Sequence, residues 1–181
     1  MPRCNTWFRD AAAYVIQNYL QDDIMKTIDL GEIKLPSRIK ITDPCYLAEE
    51  WCCNEAYILP GIYKCEAVEK YCGDWGNRIS ELRIRHIDYP DVMCLEIFPW
   101  SVEVDSGQAG FFDAEDYESN CKSKEWYSEV CEITLHKPDC GSVNGVGVVA
   151  SSGYGDDAYE CFYGTDRSGN IVALQLIFID E

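Results

Sequence analysis

Three short stretches punctuate this chain: Asp43-Pro44-Cys45-Tyr46, Val104-Asp105-Ser106-Gly107-Gln108-Ala109-Gly110 and Ser151-Ser152-Gly153-Tyr154-Gly155-Asp156-Asp157. Each follows a run with strand character and sets an aspartate beside residues that force a tight turn. Gly, Pro and Asp at strand ends fix the backbone and aim polar groups at one point. A chain broken in this way folds as short strands joined by defined corners, which places it in the β-rich classes.

The runs between these corners support that reading. Glu32 to Leu35 and Arg38 to Thr42 flank Pro36-Ser37, and Ile62 to Val68 sets Tyr63, Cys65 and Ala67 against Lys64 and Glu66. In Ile79 to Ile87, Leu82, Ile84 and His86 alternate with charged residues. Leu95 to Val104 contains Pro99, so it is expected to bend or bulge. Val130 to His136 reads as a strand with Cys131, Ile133 and Leu135 on one face. Val146 to Ser151, Ala158 to Gly164 and Ile171 to Ile179 close the chain, the last two joined by a hairpin turn over Thr165 to Asn170. Ile171 to Ile179 is apolar on both parities and is expected to lie between two layers.

Helical signals are fewer. Trp7, Phe8, Ala11, Ala12, Val15, Ile16, Tyr19 and Leu20 recur at helical spacing, with Asn5 or Thr6 as cap. Asp113 suits the cap of a second helix, with acids in its first turn and Lys122 and Lys124 near its end. Residues 47–57 are expected to form a third. The prediction is a mainly β, α+β domain: a β-sandwich or open barrel of about eight short strands, with an N-terminal helix and one or two more. At 181 residues it is a single domain, with 1–29 a helical extension packed on a β-rich body over 30–181.

Charge narrows the partners. With 32 acidic and 15 basic residues the formal net charge is −17. Such a field repels phosphate and anionic lipid, so neither direct nucleic-acid binding nor membrane binding is expected. No apolar run reaches spanning length. The first residues lack the apolar core of an export signal, so a cytoplasmic location is expected, with the 11 cysteines as thiols. No paired C-x2-C knuckles are present to make a zinc site, and no cofactor is expected.

Taken together, the three stretches resemble an uncharacterised bacterial and phage family, domain of unknown function 4241. Its pattern runs Asp-Pro-Cys-Tyr, then Val-Asp-Ser-Gly-Gln-Ala-Gly, then Ser-Gly-Tyr-Gly-Asp-Gly with a tyrosine two residues later. Here these are Asp43 to Tyr46, Val104 to Gly110, and Ser152 to Asp157 with Tyr159. Asp157 stands where the family pattern carries glycine. The resemblance covers roughly residues 38–180 and implies a mostly β fold in a bacterial or phage setting, with no activity attached.

The candidate binding residues are Asp43, Tyr46, Asp105, Gln108, Tyr154, Asp156 and Asp157. Pro44, Gly107, Gly110, Gly153 and Gly155 are expected to shape the turns, with positive φ at Gly107, Gly153 and Gly155. Asp43, Asp105 and Asp156 could hold a hard cation if their carboxylates converge, although no segment fits the twelve-residue calcium loop. Cys45 could act as a nucleophile with His86 or His136 as base. Ser106 lacks the nucleophile-elbow pattern, and the Gly153-Tyr154-Gly155 loop lacks the lysine of a phosphate cradle. If each aspartate only fixes its own turn, Asp→Asn should cost little and Asp→Ala about 1 kcal/mol.

The leading expectation is a non-enzymatic acidic cytoplasmic binding protein that takes a protein partner with a basic surface. An immunity or counter-defence inhibitor belongs to that class. The alternative is a small metal-dependent or cysteine hydrolase using the turn aspartates or Cys45.

Overall fold

The computed structural model describes residues 25–180, and the helix expected over residues 7–20 lies outside them. Among the described residues eleven strands form two antiparallel sheets. β1 (Met25–Leu35), β4 (Gly61–Tyr71), β5 (Asn77–His86), β11 (Ile171–Ile177), β10 (Asp157–Thr165) and β6 (Glu96–Val104) make the larger, in that spatial order. The smaller runs β3 (Asn54–Tyr57), β2 (Arg38–Thr42), β7 (Gln108–Asp113), β9 (Gly147–Ser151) and β8 (Cys140–Val143). Two helices follow β7, α1 (Ala114–Asn120) and α2 (Lys124–Leu135). Met25 to Asp29, assigned above to the helical extension, are the first part of β1.

The sheets pack face to face. Tyr63, Cys65, Leu82, Ile84, Leu174 and Leu176 of the larger meet Ile39, Ile41, Phe111, Val148 and Ala150 of the smaller in one buried cluster. The opposite face of the smaller sheet is covered by the helices. There Phe112, Val143 and Val149 pack with Tyr117, Trp126 and Val130. The result is a sandwich with a third, helical layer, in which β7 and β9 are buried on both parities. Strands enclosed in this way are apolar between their ends, as Ala109 to Phe112 and Gly147 to Ala150 are.

That arrangement corrects three expectations. β11 is central only laterally, between β5 and β10. Its outer face carries half-exposed Ile171, Gln175 and Ile177, and on that face only the small Ala173 is fully buried. Val130 to His136 is the second half of α2, because Ser123 caps the segment (its Oγ accepts from Trp126 N at 3.1 Å) and Trp126 and Val130 face inward one turn apart. A short alternating run is ambiguous between the two periods, and Leu135 is exposed. Residues 47–57 make isolated turns, Glu50 N to Leu47 O at 3.0 Å and Cys53 N to Glu50 O at 3.1 Å, before β3 pairs with β2.

Other signals hold. Asp113 caps α1, its Oδ1 accepting from Glu115 N and Asp116 N. α1 stops at Asn120, so Lys122 falls beyond it and Lys124 opens α2. The β6–β10 register breaks between the Ser101 and Ile97 pairings, which brackets Pro99. The chain passes from one sheet to the other at Pro36-Ser37, at Ile58 to Pro60, at Asp105 to Gly107 and at Ser152 to Asp156. Two of the three punctuating stretches are therefore sheet crossings, and the first ends the strand beside one of them.

Candidate functional site

The three stretches meet at one end of the sandwich. Gln108 pairs with Ser151 across β7 and β9, Ser152 N donates to Gly107 O at 2.9 Å, and Asp157 pairs with Val104 across β10 and β6. At the centre is Asp43, fully buried. Its Oδ2 accepts from Asp105 N at 3.0 Å and Ser106 N at 2.8 Å, and its Oδ1 accepts from Cys45 N at 3.0 Å and Ser106 Oγ at 2.6 Å. Four donors satisfy one carboxylate, which is how an ionised group is kept in a dry interior. The carboxylate ties the first turn to the second across 62 and 63 residues of sequence.

Further bonds lock the corner from the helical layer. Tyr117 of α1 donates to Tyr46 O at 2.6 Å, and Trp126 of α2 donates its Nε1–H to Pro44 O at 2.8 Å. Tyr46 in turn donates its phenol to Asp105 Oδ2 at 2.5 Å, a bond that pushes the phenol up to about 12. In the third stretch the buried Tyr159 donates to Ser152 O at 2.9 Å and Gly155 O at 2.5 Å.

The glycines divide by role. Gly107, Gly153 and Gly155 have φ of 71°, 58° and 119°, the conformations expected of them. Gly153 is doubly constrained, since a Cβ there would meet Ile179 Cγ1 at 2.8 Å and Phe178 O at 3.0 Å. Gly110, expected in a turn, lies inside β7. Its missing side chain makes room for Val148 O, which a Cβ would meet at 2.2 Å.

The candidate residues are thus neighbours in the backbone while their carboxylates serve different ends. Asp43 points inward onto its four donors and Asp105 holds Tyr46. Asp156 and Asp157 are exposed, and Asp157 Oδ1 accepts from Ala158 N at 2.8 Å. Among the described residues no group of three or more His, Cys, Asp and Glu side chains is placed to hold a metal ion. Tyr154 is 56% exposed and belongs to a separate aromatic group, edge-on to Trp75 at 5.7 Å with Arg78 over that indole.

Cys45 has neither histidine as a neighbour. His86 packs edge-on between Tyr63 and Tyr89, its Nδ1 accepting from Asp88 N, and His136 is exposed at the end of α2. The Cys45 sulfur instead accepts from Gln108 Nε2 at 3.1 Å and lies 3.9 Å from Cys131 Sγ. Burial pushes its thiol up to about 12, the reverse of what a nucleophile needs.

Sequence reasoning missed Ser106 as an Asp43 donor, and with it Tyr117, Trp126 and Cys131. Ser106 stood inside a recognised motif and was weighed only as a nucleophile. The helical residues carry no local signal for the corner, since they reach it only through the third layer. No protein-family model matches the chain, and comparison with curated proteins and with solved structures also found no match.

The charge is unevenly placed. Residues 86–121 and 138–166 contain no Lys or Arg, and they supply β6 to β10 and α1. In the larger sheet the basic residues Lys26, Lys34, Lys64, Lys70, Arg78, Arg83 and Arg85 all sit on β1, β4 and β5. The other side, β10 and the edge strand β6, carries Glu96, Glu103, Asp157 and Glu160 and ends at Asp105 and Asp156. Exposed Met93, Leu95 and Ile97 border it.

Proposed function

We propose that this chain is a non-enzymatic acidic binding protein, and that it engages a basic protein partner through the β6–β10 side and the adjoining corner. The observation that carries the reading is the segregation of charge, since two adjoining strands and their corner present carboxylates with no cation among them. A surface of that kind steers a basic partner and makes association salt-sensitive. Leu95 and Ile97 supply the apolar contact that charge alone does not. The corner supports the same reading, because its polar groups are consumed in fixing turns. Asp43 has no acceptor capacity left to activate water, and Cys45 has no base beside it. Within this class the resemblance to the bacterial and phage family favours an immunity or counter-defence inhibitor that covers a basic active site in the cytoplasm.

Capture from bacterial lysate at about 50 mM and about 500 mM salt tests the proposal. The expected result is a basic protein retained at low salt, released at high salt, and lost by an Asp156→Asn, Asp157→Asn, Glu160→Gln triple variant of unchanged stability. A partner held equally by both chains at both salt levels, or none at low salt, contradicts it.

A further inference from the structure

We infer that Cys45 and Cys131 form a dithiol site that a peroxide converts reversibly to a disulfide. Their sulfurs lie 3.9 Å apart, and among the described residues theirs is the sulfur–sulfur contact at hydrogen-bonding range. The two thiols come from different layers, Cys45 from the turn after β2 and Cys131 from α2, and both are half-buried.

A second observation points to the pair. Gln108 is only 3% exposed, and a buried amide must satisfy both its ends. Thr134 Oγ1 donates to its Oε1 at 2.9 Å, which turns the NH2 group toward the sulfurs. That group donates to Cys45 Sγ at 3.1 Å and reaches Cys131 Sγ at 3.7 Å. A polar side chain is thereby spent on holding two thiols side by side, where an apolar residue would pack a pair of inert cysteines equally well.

The chemistry balances with one peroxide. The Cys131 thiol attacks the peroxide oxygen, the O–O bond breaks, and a sulfenic acid forms with release of one water, so that Cys45 reacts only in the second step, with a sulfur 3.9 Å away. The second thiol then attacks the sulfenic sulfur, the S–O bond breaks, and the disulfide forms with release of a second water. The two thiols lose two electrons and the peroxide gains them. The sulfurs must close from 3.9 Å to about 2.05 Å. The bond would join the corner covalently to α2 across 86 residues of sequence.

The test uses the full chain and does not depend on any binding partner. Reduced protein is treated with a small excess of hydrogen peroxide, unreacted thiols are alkylated, and the peptides are mapped without reduction. The expected result is a Cys45–Cys131 crosslinked peptide as the first product, reversed by dithiothreitol. A rise in melting temperature of roughly 5–15 °C should accompany it and be absent from Cys131→Ser. Alkylation of both residues after the peroxide is consumed, or earlier formation of another pair, overturns the inference. The mapping needs no variant, so a misfolded Cys131→Ser chain would not obscure the outcome.

Discussion

Asp43 illustrates how a single side chain can be legible in kind and hidden in degree. Asp43-Pro44 announces a turn, and the expectation was a carboxylate bonded within its own turn, for which asparagine would substitute. The structure instead places donors on both oxygens. Either orientation of an asparagine amide sets its NH2 against backbone N–H groups, Asp105 and Ser106 on one side or Cys45 on the other. Asp43→Asn is therefore expected to destabilise by about 2–4 kcal/mol, read as a lower denaturant midpoint at unchanged slope. Gly153 makes the companion case, because a side chain there meets both the left-handed backbone and Phe178. Gly153→Val should cost about 1–3 kcal/mol from strain alone, whereas Val at Gly169, exposed in the β10–β11 hairpin, meets no neighbour and bears only the strain. Positive φ at Gly107 and Gly153 was readable from the turn chemistry. The four-donor role of Asp43 was not, since its partners lie some sixty residues away.

At the scale of elements, strands with turn punctuation on both sides were the readable ones, and β5, β9 and β10 fall close to the runs expected for them. α2 was misread because its second half alternates by chance, while its cap at Ser123 went unweighed. Ser123→Ala should cost about 1 kcal/mol in thermal unfolding and loosen Trp126 from Pro44. The junction of β2, β3 and α1 yields a pH prediction. Lys40 and Arg38 of β2 meet Glu55 of β3 and Glu118 of α1, with Lys40 Nζ 3.0 Å from Glu55. The Lys40 ammonium holds the Glu55 carboxyl below its usual range, and the Arg38 guanidinium does the same for Glu118. Depressed carboxyl values add stability that is present above the unfolded value of about 4.3 and lost as pH falls through the folded ones. Denaturant midpoints should accordingly fall below about pH 4.5, and less steeply in Glu55→Gln, which has no such contribution to lose.

For the whole molecule, composition announced an acidic surface and turn spacing announced a β-rich body, but neither located the charge. The asymmetry between β1–β4–β5 and β10–β6 exists only once strand order is known, because strands adjacent in space are distant in sequence. A helix after Asp113 was expected, but the face it covers was not readable, as nothing local states that Phe112 and Val149 face helices while Phe111 and Val148 face the other sheet. The central claim is that the corner built by the three stretches is structural and supports a contact surface. It is tested most directly by melting the wild-type chain and Asp43→Asn with calcium, with magnesium and with a chelator. The account predicts one wild-type melting temperature in all three conditions and a loss of about 5–15 °C in the variant in each. A wild-type melting temperature that rises with either cation and falls with chelator, in a chain whose Asp43→Asn variant ignores both, would contradict it.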